Sequence, residues 1–204
     1  MSQIMVAKLG DPRLDQNTLT DMFRLRHAVF HDRLEWDVNS DNGMEYDEYD
    51  EAGPVYVLAK GNDDAVEGCW RILPTTGPYM LRDVFPELLA GQPAPESPEV
   101  CEISRVAVIT KKHKDVGFGF SQTPVRMIQE SVRYAHAAGI TRYLVVTSLA
   151  VERMLRKVGL NMQRLGPPVK IGKVLTVANN IEMDEVTEFA LFGTLPEDAS
   201  RKVA

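Results

Sequence analysis

Two arginines stand where the hydrophobic pattern calls for apolar side chains. Arg26 lies four residues after Met22 and four before Phe30, on the helical stripe Leu19, Met22, Phe23, Val29, Phe30 and Leu34. A guanidinium taken out of water needs a carboxylate or another acceptor beside it. Arg71 is the single cation in the strand-like run Val66-Glu67-Gly68-Cys69-Trp70-Arg71-Ile72-Leu73, where it either meets such an acceptor or reaches the rim of a sheet. Acceptors are close at hand. Residues 35–51 contain Glu35, Asp37, Asp41, Glu45, Asp47, Glu48, Asp50 and Glu51 without one Lys or Arg, a local charge of −8 against −6 for the whole chain. An ion pair that merely tethers this segment satisfies Arg26 as well as a ligand site does.

The string Glu102-Ile103-Ser104-Arg105 sets an acid, a hydroxyl and a base inside residues 99–109, otherwise a core strand. Strict alternation sends Glu102 and Arg105 to opposite faces, whereas a β-bulge between them brings both to one side. A glutamate among β-branched neighbours has its pKa raised toward the range useful for a general base. The plainer reading is a Glu and an Arg at two solvated edges. Phe30, Trp36 and Trp70 either line a pocket for a flat ring or an aliphatic chain, or are core aromatics. His27 and His31 form an i, i+4 pair, but a metal site wants a third ligand and the inward stripe runs through Arg26 and Phe30, so no metal is expected. Gly117-Phe118-Gly119 ahead of a helix is an incomplete phosphate cradle.

The elements that position these groups follow from periodicity and punctuation. A strand is expected at residues 4–9, then a helix capped by Asn17 or Thr18 and running to about Leu34, then a mobile acidic loop at about 35–53. Residues 55–60 and 66–73 read as an antiparallel hairpin around Gly61-Asn62-Asp63-Asp64. A short helix at 81–89, a proline-rich connection at 91–98, the central strand at 99–109 and a basic, glycine-containing loop at 111–120 follow. Pro124 opens a helix with the stripe Val125, Ile128, Val132 and Ala135, and Gly139 closes it. The remainder reads as a strand at 143–149, a helix at 151–158 ended by Gly159, strands at 169–171 and 174–178, and a helix at 184–192. An early hairpin and late βα units imply one domain over 1–204, a three-layer α/β/α sandwich with a mixed central sheet.

Twenty-three Lys and Arg against 29 Asp and Glu leave no positive field to gather nucleic acid or an anionic membrane. No apolar run approaches the ~20 residues of a membrane span, and the start lacks a basic segment followed by a long apolar one, so a cytoplasmic protein is expected. The two cysteines, Cys69 and Cys101, read as buried thiols rather than a disulfide framework.

Together, Arg26, Phe30, Trp36, Asp47, Asp50, Arg71, Glu102 and Arg105 resemble, in order and spacing, the signature of the acyl-homoserine-lactone synthases of the LuxI type. The strings Gly68-Cys69-Trp70-Arg71-Ile72-Leu73-Pro74-Thr75-Thr76, Tyr79-Met80-Leu81-Arg82-Asp83-Val84-Phe85-Pro86 and Glu102-Ile103-Ser104-Arg105 are similar to family blocks. The resemblance implies a fold like that of GCN5-type N-acetyltransferases, with a cleft in the sheet for an acyl-phosphopantetheine arm. Its substrates are S-adenosylmethionine and an acyl-acyl carrier protein, with no metal or redox cofactor. The amine of S-adenosylmethionine attacks the thioester, and the homoserine carboxylate then displaces methylthioadenosine to close the lactone.

By the same resemblance Asp47 and Asp50 pair with Arg26 and Arg71, and Phe30 and Trp36 enclose S-adenosylmethionine. Glu102 is the candidate general base, with Ser104 and Arg105 completing the catalytic string and Arg105 orienting the acyl donor. Thr147 is placed either to bond a 3-oxo group or, as a buried Thr, to bond its own sheet, and Met127 and Leu149, with Met154 and Leu191, border the acyl chain. Arg153, Lys157 and Lys173, together with Arg156 and Lys170, form either a basic face for the acidic carrier protein or simply a solvated helix face. The competing readings are an N-acyltransferase that uses acyl-CoA and another amine, and a non-catalytic binder of carrier protein or S-adenosylmethionine. A methyltransferase of the doubly wound type is disfavoured, because no glycine-rich turn follows the first strand.

Overall fold

The structure is a computed structural model and describes residues 2–109 and 122–193. Its strands are β1 (Gln3–Lys8), β2 (Ser40–Asp41), β3 (Met44–Glu45), β4 (Val55–Lys60), β5 (Val66–Pro74), β6 (Val100–Val108), β7 (Arg142–Ser148), β8 (Met162–Arg164), β9 (Val169–Ile171) and β10 (Val174–Glu182). The helices are α1 (Gln16–His27), α2 (Met80–Asp83), α3 (Gln122–Ala138), α4 (Leu149–Val158) and α5 (Glu185–Phe192). The main sheet has the order β1-β4-β5-β6-β7-β10-β8, with β9 also paired to β10. Only the β6–β7 pair among these is parallel. The expected hairpin is β4–β5, and both of its strands are buried on both faces, which is why they read as apolar runs rather than as alternation.

Helices cover the two faces, giving the α/β/α sandwich. On one face Met127 and Val132 of α3, Leu155 of α4 and Leu191 of α5 pack over Val57, Ile72, Tyr143, Val145 and Ile181. Gly68 is needed here, because a Cβ would meet the sulfur of Met127 at 2.9 Å. Trp70 belongs to this core and donates Nε1–H to Ser131 Oγ at 3.1 Å, well separated in role from Phe30 and Trp36. On the other face Met22, Leu25 and Val29 cover Tyr56, Leu58, Cys69 and Ala107, while Leu81 and Leu88 cover Leu73, Leu144 and Ala178. Both cysteines are free and buried, and burial raises the Cys69 thiol to about 12.

Several boundaries differ from expectation for local reasons. The N-cap of α1 is Asp15, whose carboxylate accepts from Thr18 N–H at 2.8 Å, rather than Asn17 or Thr18. Beyond His27 the chain widens without a break into a π-helix, Ala28–Arg33. The helix expected at 81–89 splits into α2 and a 3-10 turn, Pro86–Leu89, because Pro86 lacks an N–H and forces Phe85 out of helical conformation. Leu149, expected as strand, opens α4, since the Ser148 hydroxyl caps Val151 N–H. The acidic segment expected as a loop carries the β2–β3 ribbon and a 3-10 turn, Glu48–Asp50, capped by Asp47. The basic loop at 111–120, with Gly117, Phe118 and Gly119, lies outside the described residues.

Candidate active site

The site is built on a bulge. Cys69 faces Ala107 and Arg71 faces Ser104, so Arg105 and Val106 of β6 together oppose Trp70 of β5. Arg105 takes φ 53°, a left-handed conformation unusual for a non-glycine residue. The extra residue resets the alternation, and Glu102, Ser104 and Arg105 all face the side covered by α1 and α2. The parallel ladder between β6 and β7 runs only from Val100/Arg142 to Ile103/Val145. The bulge therefore begins where β6 leaves β7, and β7 continues along β10.

Arg26 descends onto this face from α1 and Arg71 rises from β5, and neither is more than 1% exposed. Arg26 donates from Nε to Glu45 at 2.6 Å and from Nη1 to Asp50 at 2.8 Å. Arg71 binds Asp47 through both Nη atoms, lies 2.9 Å from Asp50, and donates Nε–H to Ser104 Oγ at 3.1 Å. Arg105 reaches Glu45 at 3.0 Å and Asp47 at 2.7 Å, and its guanidinium lies 5.4 Å from the Phe30 ring centroid. Three guanidinium groups thus interlock with three carboxylates, and their charges cancel. Burial pushes the Asp50 carboxyl up, but Arg26 and then Arg71 prevail and bring it down to about 2. The Tyr56 hydroxyl donates to the same oxygen of Asp50 at 2.9 Å.

Glu102 stands apart from that balance. It is 1% exposed, and its two oxygens accept the N–H groups of Met80 at 2.8 Å and Leu81 at 2.7 Å, at the start of α2. Burial raises its pKa to about 7, against the pull of those two N–H groups and of Arg71 and Arg105. Each oxygen keeps a second lone pair, so the group can still accept a proton directly or through a water. Phe30 and Trp36 stack at 5.3 Å, with Phe30 buried and Trp36 42% exposed, which leaves one aromatic face open to a ligand.

Residues 12–191 match the autoinducer synthase family. The chain belongs to this family. It is 40% identical over 192 residues to an acyl-homoserine-lactone synthase of Pseudomonas aeruginosa, covering 93% of this chain and 94% of that one. The crystal structure of the AHL synthase LasI superposes with a TM-score of 0.87 at 38% identity, covering 96% and 97% of the two chains. A CoA-dependent acyl-homoserine lactone synthase, BjaI, with SAM and isopentyl-CoA, superposes with a TM-score of 0.82 at 25% identity over 95% of this chain and 89% of that one. A further likeness in fold alone, TM-score 0.58 at 15% identity over 90% and 99%, is to an N-acetyltransferase structure from Lactobacillus plantarum. The expected acyltransferase class and GCN5-like sandwich are therefore those of an autoinducer synthase.

In this autoinducer synthase the remaining expected residues spread over the opposite face and the rim. Met127 is fully buried, whereas Thr147, facing Val177 across the sheet, and Leu149 are partly buried. Arg153 and Lys157 are exposed one turn apart on α4. Arg156 is committed elsewhere, to buried Glu152 at 3.1 Å and Met162 carbonyl at 3.0 Å, and Lys173 pairs with Glu35 at 3.0 Å. Among the described residues no helix is long and apolar enough to cross a membrane.

Two buried polar residues escaped sequence reasoning. Glu45 is fully buried and bridges Arg26 and Arg105, yet among eight acids nothing in type or spacing singles it out. Asn179 in β10 is also fully buried, and both polar atoms of its amide lack partners. It lies opposite Val145 and diagonally from Thr147 on the α3–α5 face.

Proposed function

We propose that this chain transfers an acyl group from a phosphopantetheine thioester to the amino nitrogen of S-adenosylmethionine, and that the product closes to an acyl-homoserine lactone with release of methylthioadenosine. The observation that carries this reading is the juxtaposition, on one bulged strand, of a charge-balanced arginine–carboxylate cluster and a buried glutamate with a pKa of about 7. The cluster pins the acidic segment over the bulge. The five exposed acids that remain, Glu35, Asp37, Asp41, Glu48 and Glu51, provide a negative rim suited to a substrate with ammonium and sulfonium charges.

Phe30 and Trp36 cover the adenosyl part. Glu102 takes a proton from the ammonium, and the free amine adds to the thioester carbonyl. Arg105 and N–H groups at the bulge stabilise the resulting oxyanion, which collapses with loss of the thiol. Ser104 positions Arg71 through its hydroxyl and does not itself attack. The carboxylate of the acylated product then attacks the carbon bonded to the sulfonium, the C–S bond breaks, and neutral methylthioadenosine leaves. S-adenosylmethionine is a substrate here, and the chemistry needs no redox or metal cofactor.

The acyl chain runs toward Thr147, Met127 and Leu149. An acyl carrier protein is the donor favoured by exposed Arg153 and Lys157, with Lys173 nearer the acidic segment; acyl-CoA is the alternative that BjaI illustrates. Incubation of the purified chain with S-adenosylmethionine and a ladder of acyl-carrier-protein and acyl-CoA donors, followed by mass spectrometry of an organic extract, tests the reading. An acyl-homoserine lactone with equimolar methylthioadenosine is expected. Folded protein that yields neither with any donor overturns it.

A further inference from the structure

We infer that His27, His31 and Asp32 form a site for one divalent transition-metal ion of the zinc class, on the outer side of the helix that turns Arg26 and Phe30 inward. The third ligand that the i, i+4 histidine pair lacks is the Asp32 carboxylate, brought beside it by the backbone. Residues 28–33 form a π-helix, with Leu34 N–H bonded to Val29 carbonyl at 3.1 Å, and in such a turn residue i+5 comes to lie beside residue i. Asp32 is residue i+5 from His27. One of its carboxylate oxygens is 3.3 Å from His27 Nε2 and 2.8 Å from His31 Nδ1. The two imidazoles stack at 4.6 Å with only 13° between their planes, and the three ligand atoms lie within 4.8 Å of one another.

The hydrogen bonds behind His27 prepare it as a ligand. Ser40 Oγ lies 2.6 Å from His27 Nδ1 and 3.2 Å from the Met44 carbonyl, and with its proton on that carbonyl it can accept a hydrogen from Nδ1. Metal binding selects the tautomer with its hydrogen on Nδ1, for which Ser40 Oγ is the acceptor, and directs the Nε2 lone pair to the ion shared with the Asp32 carboxylate. In that tautomer Nε2 and one Asp32 oxygen, 3.3 Å apart, are two ligand atoms on the same side of an ion. That spacing matches two ligands at about 2.0–2.1 Å from a tetrahedral zinc, roughly 3.3 Å from each other, and the ion would replace the 2.8 Å hydrogen bond between His31 Nδ1 and the same oxygen. Two imidazoles and a carboxylate suit the borderline divalent ions, and a partly exposed three-ligand set leaves the fourth position to water. A bound ion ties the π-helix, through His27 and Ser40, to the ribbon that carries Glu45.

The site stands independently of the proposed reaction. Its test is isothermal titration of the metal-stripped full-length protein with Zn2+, with Co2+ absorption spectra as a second readout of ligand geometry. One equivalent is expected to bind, with an upward shift in thermal midpoint. His31→Ala and Asp32→Asn, both at exposed side chains, are each expected to weaken binding about ten-fold or more, and Ser40→Ala by about ten-fold through loss of the outer hydrogen bond. His136→Ala, on α3, is expected to leave binding unchanged. Absence of saturable binding, or an affinity that neither His31→Ala nor Asp32→Asn alters, overturns the inference.

Discussion

Glu102 and Glu152 are each 1% exposed, and their carboxyl groups shift in opposite directions. Glu152 lies just under the surface beneath Arg156 and Arg164, whose side chains are 44% and 41% exposed. Arg164 binds it at 2.8 and 2.6 Å and, with Arg156, holds its pKa down against burial. The result is a clasp between α4 and β8, with the acid saturated by cations. Glu102 sits deep under α2 and receives only backbone N–H groups, because the three nearby arginines are already matched by Glu45, Asp47 and Asp50. Burial alone does not make a carboxylate into a base. What matters is burial at a depth and with partners that leave its charge uncompensated.

The largest expected effect comes from breaking the balance that isolates Glu102. Arg26→Ala leaves Glu45 and Asp50 buried beside fewer cations, and should cost about 3–5 kcal/mol of unfolding free energy in denaturant titrations together with activity. Glu102→Gln should instead keep the fold and lower the acylation rate by about 10²–10⁴ in stopped assays of lactone formation. It should also change the pH dependence of stability. The native carboxyl titrates near 7 and the unfolded one near 4.5, so between these values the native state holds the extra proton. Wild-type stability is therefore favoured below about 4.5 and falls as pH rises through about 7. The Gln variant should lack that decline in thermal midpoint. Glu152→Gln is the mildest change. It should cost about 1–2 kcal/mol through weakened charge-assisted hydrogen bonds, with the acylation rate unaltered.

How readily the site shows in the sequence depends on contrast. Arg26 and Arg71 are conspicuous because a cation interrupts an apolar stripe and an apolar strand, and Glu102 because it interrupts a core strand. Glu45 is an acid among acids, and its selection depends on the β2–β3 ribbon turning it inward. Asp32 meets His27 only because the helix widens to a π-turn, a change that a 3.6-residue period cannot express. In the fold, β4 and β5 are marked by continuous apolar residues on either side of a polar turn. The end of β10 is hidden because Asn179 and Asn180 look like a turn yet are buried in the sheet, and β8, at three residues, is too short for any alternation to register.

The contrast between the two glutamates is tested most directly by carbon-13 NMR titration of the side-chain carboxyls in glutamate-labelled protein, with Glu102→Gln and Glu152→Gln for assignment. One resonance, lost in Glu102→Gln, should titrate near pH 7, and the resonance lost in Glu152→Gln should titrate below the ordinary carboxylate value of 4.5. A Glu102 carboxyl that titrates at or below 4.5, alongside Glu152, would contradict the assignment of Glu102 as the buried, uncompensated base.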